Sequence, residues 1–315
     1  MQYQKLGSTE INVSRICFGS LTISPLQANL NEEEGARLLR YAFEKGINFI
    51  DTAKLYRNYN YIRRALKGWH KPVVIASKSY DYTYEGMKKS LDEARLALNR
   101  DIIDIFMLHE QESDLTLKGH RPALEYLIKA KSQGIIRAVG VSTHTVKLVD
   151  ILAESSEIDV IHPIVNIKGL GLLDGNADDM LMALRKAHKN GKGIYGMKAL
   201  GGGNLVLQAR EAIEYVFSIK ELHSVALGCR IKEELDFNLA ILEKREPEDA
   251  TKDALVHVKR RLLIEEWCQG CGACVDKCPG KLLRIEDGHA VLASKGCLFC
   301  GYCAAVCPQF AIKVV

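Results

Sequence analysis

The 315-residue sequence has little excess charge of either sign: 43 Lys and Arg against 39 Asp and Glu leave a formal +4 and a pI near 8.4. So mild a balance does not point to a nucleic-acid partner, and no basic stripe interleaved with aromatics accompanies it. Long apolar runs are missing too: no stretch reaches the ~18 residues that a membrane-crossing helix needs, so no membrane partner is expected. The opening MQYQKLGSTEINVSRICFG lacks a basic segment followed by an apolar run and a small-residue cleavage site, so export is not expected. No G-x-G-x-x-G turn follows an early strand, which argues against an open doubly wound sheet. Cysteine is scarce over most of the chain, since eight of the ten fall in the last 48 residues at metal-ligand spacings. A reducing cytoplasm fits that placement better than disulfides in a secreted chain. Cys17 and Cys229, alone in apolar stretches, read as buried, unreactive thiols.

What is present describes a folded α/β chain. Hydrophobic residues make up 47 % and charged residues 26 %, ordinary values for a globular protein with a sizeable core. The length suits one large domain with a small appendage. Eight short apolar runs alternate with segments of helical period: RICFG at 15, INFID at 47, VVIASK at 73, IDIFMLH at 103, RAVGVS at 137, DVIHPIVN at 159, KGIYGMK at 192 and HSVALG at 223. Segments between them, such as NEEEGARLLRYAFEKG at 31, start with Asn and acids and end in Lys-Gly, as caps and the helix dipole favour. Eight such units predict a parallel (β/α)8 TIM barrel of ~250 residues, placed at residues 1–244. The opening YQKLG…INVS reads as a hairpin across the barrel floor.

Active sites of this barrel lie at the C-terminal ends of the strands. Asp51 ends the second run, Tyr56 follows in its loop, Lys78 ends the third and His109 ends the fourth. Each alone reads as well as a surface or capping residue; together they share one rim. The stretches DTAKLY, IASK and FMLH, reinforced by GVSTH at 140, VN at 165 and MKALGGG at 197, resemble the catalytic stretches of the aldo-keto reductase family. The resemblance covers residues 1 to about 244 and implies a TIM barrel that binds NADPH or NADH and acts on a small-molecule carbonyl or alcohol. Hydride addition to a carbonyl makes an alkoxide, which needs a proton donor. Tyr56 is the expected donor, with the Lys78 ammonium lowering its pKa, Asp51 holding Lys78, and His109 orienting the carbonyl oxygen.

By the same resemblance, Ser142 and Asn166 are expected to bond a nicotinamide carboxamide, and Arg230 and Asn238 to meet the adenosine end. Glu234 stands where an Arg facing a 2′-phosphate is common, and Thr143 replaces an Asn often found beside the Ser. The glycines Gly201, Gly202 and Gly203 offer amides to a phosphate, or form only a flexible turn. Met197 takes the place of a stacking aromatic. Lys198 is expected either beside the cofactor, an anionic substrate or a reduced flavin, or in water.

Residues 245–266 are charged and helical in period and read as a connector, with the basic run Lys259-Arg260-Arg261 a solvated helix face or, alternatively, a dock for an acidic electron-transfer partner. From Cys268 the pattern C-x2-C-x2-C-x3-C-P occurs twice, at Cys268, Cys271, Cys274 and Cys278, and at Cys297, Cys300, Cys303 and Cys307. Paired C-x-x-C units also suit zinc, but the compact triplet with a distant fourth Cys before Pro is specific for iron–sulfur ligation. Residues 267–315 resemble a bacterial-type ferredoxin, a small α+β domain carrying two 4Fe-4S clusters. That resemblance implies crossed ligation: Cys268, Cys271, Cys274 and Cys307 for one cluster, Cys297, Cys300, Cys303 and Cys278 for the other. LLRIEDGHAVLA reads as a hairpin turning at Asp-Gly, and AIKVV as a last strand.

Nicotinamide passes hydride and clusters pass single electrons, so the two halves need a link. The leading expectation is a carbonyl-reducing oxidoreductase using the tetrad with NADP or NAD. A second keeps the barrel but moves electrons from a ferredoxin or flavodoxin partner to a substrate or a bound FMN, with nicotinamide marginal. A third is a non-catalytic electron carrier.

Overall fold

The computed structural model describes residues 1–256, 260–294, 296–297 and 299–314. Strands β1 (Tyr3–Lys5) and β2 (Asn12–Ser14) pair antiparallel as the expected hairpin. The eight apolar runs become β3 (Ile16–Gly19), β4 (Phe49–Asp51), β5 (Val74–Ser79), β6 (Ile103–Gln111), β7 (Ile136–Thr143), β8 (Val160–Pro163), β9 (Gly193–Gly196) and β10 (Ser224–Leu227). They are parallel and close into a barrel by pairing β10 with β3. Helices α1 (Glu32–Glu44), α2 (Tyr59–Leu66), α3 (Tyr84–Leu98), α4 (Asp114–Gly119), α5 (Arg121–Ser132), α6 (Val146–Glu154), α7 (Ala177–Lys189), α8 (Ala209–Ser218) and α9 (Lys232–Leu242) fill the crossovers. Cap chemistry sets their starts. Asn31 opens α1 and Asn176 opens α7, each with a full capping box closed by Glu34 or Asp179.

Strand alternation then decides which residues reach the barrel axis. The interior cluster holds Cys17, Phe49, Val74, Ala76, Ile105, Met107, Ala138, Val160 and Tyr195, sealed at the floor by Leu6, Ile11 and Val13 of the hairpin. The opposite parity, Ile50, Ile75, Phe106, Val139 and Ile161, packs against the helices. Continuing the inward parity toward the strand ends reaches Asp51, Lys78, His109, Ser142, His162 and Met197. Cys17 and Cys229 are buried, and burial pushes both thiols well up, as unreactive core cysteines require.

Beyond the barrel, α10 (Asp249–Val256) is the described part of the expected connector helix. The helical reading fails at Leu262–Ile264, which form β11 and pair antiparallel with β14 (Ile312–Val314), so the end of the connector belongs to the cysteine-rich domain. The charged flanks of LLI hid a three-residue strand. Of the basic run, Lys259 lies outside the described residues, while Arg261 donates to the Gln27 carbonyl on the barrel. The rest of the domain holds the short helices α11 (Ala273–Lys277) and α12 (Tyr302–Ala305), and the hairpin β12 (Leu283–Glu286) with β13 (His289–Leu292). Asp287 and Gly288 turn that hairpin with φ of 46° and 78°, the left-handed pair a type I′ turn needs.

The two cysteine runs fold as near copies. Gly270 and Phe299, Gly272 and Gly301, and Lys281 and Phe310 occupy matching positions, and all six have positive φ. The domain sits on the barrel mouth through β14 and the loop after β9. A Cβ on Gly203 would collide with the Val314 carbonyl, and one on Gly202 would come 2.8 Å from the Phe310 ring. These glycines permit a close approach between domains.

Candidate active site and cluster-ligand sites

Tyr56 ends a 3-10 turn, Lys54–Tyr56, that follows β4. The turn is fixed behind it: Arg57 adopts φ of 54°, and buried Asn58 accepts from Thr52 Oγ1 at 2.9 Å while donating to Ser20 O at 2.8 Å. Lys78 Nζ, 1 % exposed, donates to both oxygens of Asp51 at 2.8 Å and to Thr52 O at 2.9 Å, and lies 5.0 Å from the Tyr56 ring centroid. Removing either partner of a pair buried this deeply typically costs about 3–5 kcal/mol, because the other charge is left uncompensated. The four tetrad residues therefore converge. The rings of Tyr56 and His109 meet edge to face at 6.0 Å.

One part of the expected chemistry is corrected. Burial pushes the Tyr56 phenol well above its ordinary pKa, and the charges of Asp51 and Glu110 push it further. The Lys78 ammonium, held by both Asp51 oxygens, does not reverse this rise. Tyr56 in the free protein is thus a proton-holding phenol across the neutral range. His109 is pulled well below its usual value by burial and then by Lys78, so it is a neutral imidazole. Its Nδ1 is buried without a hydrogen-bond partner. An unpaired buried polar atom costs roughly 1–3 kcal/mol.

Sequence reasoning missed the residues that hold the tetrad. Tyr195 donates to Asp51 Oδ1 at 2.8 Å, and His162 stands 3.5 Å from the same oxygen and stacks on the Tyr195 ring at 3.8 Å. Burial brings His162 down to about 4, so it is neutral there. Inward strand parity was the available signal for both. Also missed were Tyr80, Glu110 and His144. Tyr80 stacks on His109 at 4.1 Å and donates to Glu110, and His144 Nδ1 lies 2.8 Å from Glu110 Oε1. Burial alone would raise the Glu110 carboxyl, but the hydrogen bond and charge of His144, the Lys198 charge and the Tyr80 hydroxyl bring it well below the carboxylate range.

A groove of about 700 Å³ runs from Asp51 and Tyr56 along the rim to Arg230 and Asn238. Met197, Lys198, Gly202 and Gly203 also line it, and so do Arg260, Phe310 and Lys313 from beyond the barrel. Arg230 is bonded by side chain and backbone to Glu234. Of the expected site residues, Lys78, His109, Gly201, Ser142 and Asn166 are not among its lining residues. The amides of Gly201 and Gly203 donate within their own turn, to Lys198 O and Leu200 O. Ser142 Oγ accepts the Glu110 N–H at 2.7 Å, and Asn166 Oδ1 accepts from Lys168 and Leu170 amides.

In the small domain Cys268, Cys271, Cys274 and Cys307 line one void with Ile285, Ala290 and Ile312. Burial, then the neighbouring Cys268, Cys307 and Cys271, raise the Cys274 thiol. Cys303 is raised to about 11, by burial first and then by Cys278, Cys297 and Cys300. Amides point at the sulfurs: Ala290 N to Cys268 Sγ at 3.4 Å, and the matched pair Leu282 N to Cys278 Sγ at 3.4 Å and Ala311 N to Cys307 Sγ at 3.3 Å. Among the described residues no three ligand-type side chains converge closely enough to clasp one metal ion. Two crowded sets of thiols with N–H···S donors suit a cluster, which spreads its ligands wider than a single ion does.

The aldo/keto reductase family model matches residues 15–249, most of the chain and the whole barrel. The chain belongs to the aldo/keto reductase family. A second family model, a 4Fe-4S dicluster domain, matches residues 261–308 and takes in all eight clustered cysteines. Among relatives, L-galactose dehydrogenase of Arabidopsis thaliana is 22 % identical over 304 residues, covering 82 % of this chain and 93 % of its own. An aldo-keto reductase of Bacillus subtilis (strain 168) is 24 % identical over 240 residues, 71 % of this chain and 69 % of that one. Of solved structures, a putative aldo-keto reductase from Pseudomonas aeruginosa aligns with a TM-score of 0.66 at 26 % identity, over 77 % of this chain and 94 % of its own. At 19 % identity, the holo form of an aldo-keto reductase from Bacillus halodurans shares the fold with the same TM-score of 0.66, over 81 % of this chain and 94 % of that one. This aldo-keto reductase is therefore an oxidoreductase barrel joined to an iron–sulfur domain. No helix among the described residues is long and apolar enough to cross a membrane.

Proposed function

We propose that this aldo-keto reductase interconverts a carbonyl and an alcohol with a nicotinamide cofactor, and that its C-terminal domain carries two 4Fe-4S clusters for electron transfer. The observation that carries the reading is the Tyr56 phenol packed on a Lys78–Asp51 pair at the head of a cofactor-sized groove. When bound there, nicotinamide supplies hydride to the carbonyl carbon. The chain's own residues do the rest. Neutral His109 bonds the carbonyl oxygen, Tyr56 gives it the phenolic proton, and the Lys78 charge steadies the tyrosinate that remains, with Asp51, Tyr195 and His162 fixing the ammonium in place.

Met197, Lys198, Gly202, Gly203, Arg230 and Asn238 remain the groove-lining candidates for holding the cofactor. Glu234 takes up charge of Arg230 that a 2′-phosphate would use, while Arg260 adds positive charge at the same end, so NADP and NAD both belong in the test. For the clusters, the sets are Cys268, Cys271, Cys274 and Cys307, and Cys297, Cys300, Cys303 and Cys278. Eight cysteines grouped as cluster ligands, with Cys17 and Cys229 buried, fit a reducing, cytoplasmic setting.

One observation favours the second reading, in which a ferredoxin or flavodoxin feeds electrons through the clusters to a bound FMN or substrate: Phe310 and Lys313 of the cluster domain wall the same groove. Anaerobically purified, cluster-loaded protein mixed with an aromatic aldehyde separates the two. The first reading expects NADPH or NADH to be consumed in step with alcohol formed. No turnover with either nucleotide, with FMN co-purifying and reduced ferredoxin driving reduction, would replace it with the second.

A further inference from the structure

The two cysteine runs are near copies, yet they treat one matching position differently. Lys281 and Phe310, each three residues after the last Cys of its run, both have φ of 49°. Lys281 is exposed. Phe310 instead enters a socket on the barrel: a Cβ on Gly171 or Gly202 would come 3.1 or 2.8 Å from its ring, and Lys198 Nζ lies 4.4 Å from its centroid.

From that socket a continuous set of contacts runs back to the active site. Lys198 Nζ lies 3.1 Å from His144 Nε2, His144 Nδ1 lies 2.8 Å from Glu110 Oε1, Tyr80 donates to Glu110 Oε2, and the Tyr80 ring stacks on His109 at 4.1 Å with 25° between planes. A neutral His144 serves this arrangement, donating through Nδ1–H to the Glu110 carboxylate and accepting the Lys198 hydrogen at Nε2. Two links are held in the left-handed region that non-glycine residues rarely occupy, Glu110 at φ of 52° and Lys198 at 58°. Glu110 sits at a register shift of β6 on β7 and donates its N–H to Ser142 Oγ. Such strain persists where surrounding contacts over-determine it and gathers at functional sites.

We infer that the iron–sulfur domain is a built-in positioning element of the carbonyl site: Phe310, seated on Lys198, fixes the orientation of His109 through His144, Glu110 and Tyr80. The inference rests on the reading of His109 as the group that aims the carbonyl. Lys198 is faced by His144 from the end of β7, Glu110 from β6, Lys313 from β14 and Glu265 from beside β11. Burial, joined by the like charge of Lys313 and opposed by Glu110 and Glu265, brings Lys198 down to about 7.

The test uses the full, cluster-loaded chain, with iron content and visible spectrum checked first. In Phe310→Ala, hydrogen exchange of the segment 108–112 should rise about tenfold or more, and kcat with an aromatic aldehyde should fall more than the KM for nicotinamide rises. Phe310→Tyr should restore both. Lys198→Met leaves the cluster domain's own sequence intact and should raise the same exchange, with Lys198→Arg restoring it. Full iron with unchanged exchange at 108–112 in both Phe310→Ala and Lys198→Met overturns the inference. If the exchange changes as expected but the unaltered protein reduces no carbonyl, the positioning chain stands and the carbonyl reading falls.

Discussion

Tyr56→Phe lowers kcat for carbonyl reduction by about 10²- to 10⁴-fold, the usual worth of a positioned acid. Cofactor affinity should barely change, because the ring and its contacts with Lys78 and His109 survive the loss of one oxygen. The physical case is specific to this pocket. Tyr56 is buried and faces the charges of Asp51 and Glu110, so its proton is held firmly until an alkoxide forms nearby and needs it. His109 has no ionisable proton to offer at neutral pH, since burial keeps the imidazole neutral. Steady-state turnover with NADPH and an aromatic aldehyde, with cofactor binding measured separately by fluorescence, gives both numbers. A variant that retains full kcat would remove Tyr56 from the proton step.

Cys307→Ala should cost one whole cluster, dropping iron from about eight to about four per chain, and the cluster lost should be the one held by the first run. Paired substitutions make the crossing visible. Cys268→Ala with Cys307→Ala should cost no more iron than either alone, because both cysteines line the same void. Cys297→Ala with Cys307→Ala should empty both sites, although these two residues share a run. Iron and sulfide analysis after anaerobic reconstitution checks this. Four irons left in the Cys297/Cys307 pair, and none in the Cys268/Cys307 pair, would mean uncrossed ligation. The domain's own core is small, Leu283, Ala290, Ala304 and Ile312 with Cys274 and Cys303, so ligand loss should also lower its unfolding temperature.

Much of this was legible in the sequence because it rests on local periodicity. Each apolar run became a barrel strand, and inward parity places Asp51, Lys78 and His109 at the axis with no tertiary knowledge. The cysteine spacings were equally legible, since a cluster's ligand geometry is written in the chain itself. What could not be read depends on which elements meet. Phe310 looked like a residue of a ferredoxin loop, and nothing in its surroundings in sequence pairs it with Gly171, Gly202 and Lys198 of the barrel. Glu110 and His144 lie one and two residues past recognised positions, yet their pairing needs the register shift in β6. The direction of the Tyr56 shift was misjudged by weighing one neighbour, Lys78, without the burial and the Asp51 charge that accompany it. Leu262–Ile264 were lost in a charged helical pattern because a three-residue strand has almost no period to detect.

Hydride passage in the barrel, separate from the cluster electrons, is the central claim, and isotope transfer tests it most directly. Anaerobic, cluster-loaded protein is given an aromatic aldehyde and NADPH carrying deuterium at both C4 positions, in ordinary water, and the alcohol is analysed by mass spectrometry and NMR. The alcohol carbon should acquire deuterium, with only its oxygen taking a proton from the protein. An alcohol carbon bearing solvent hydrogen instead would show that the electrons travel by another route, and would contradict the account.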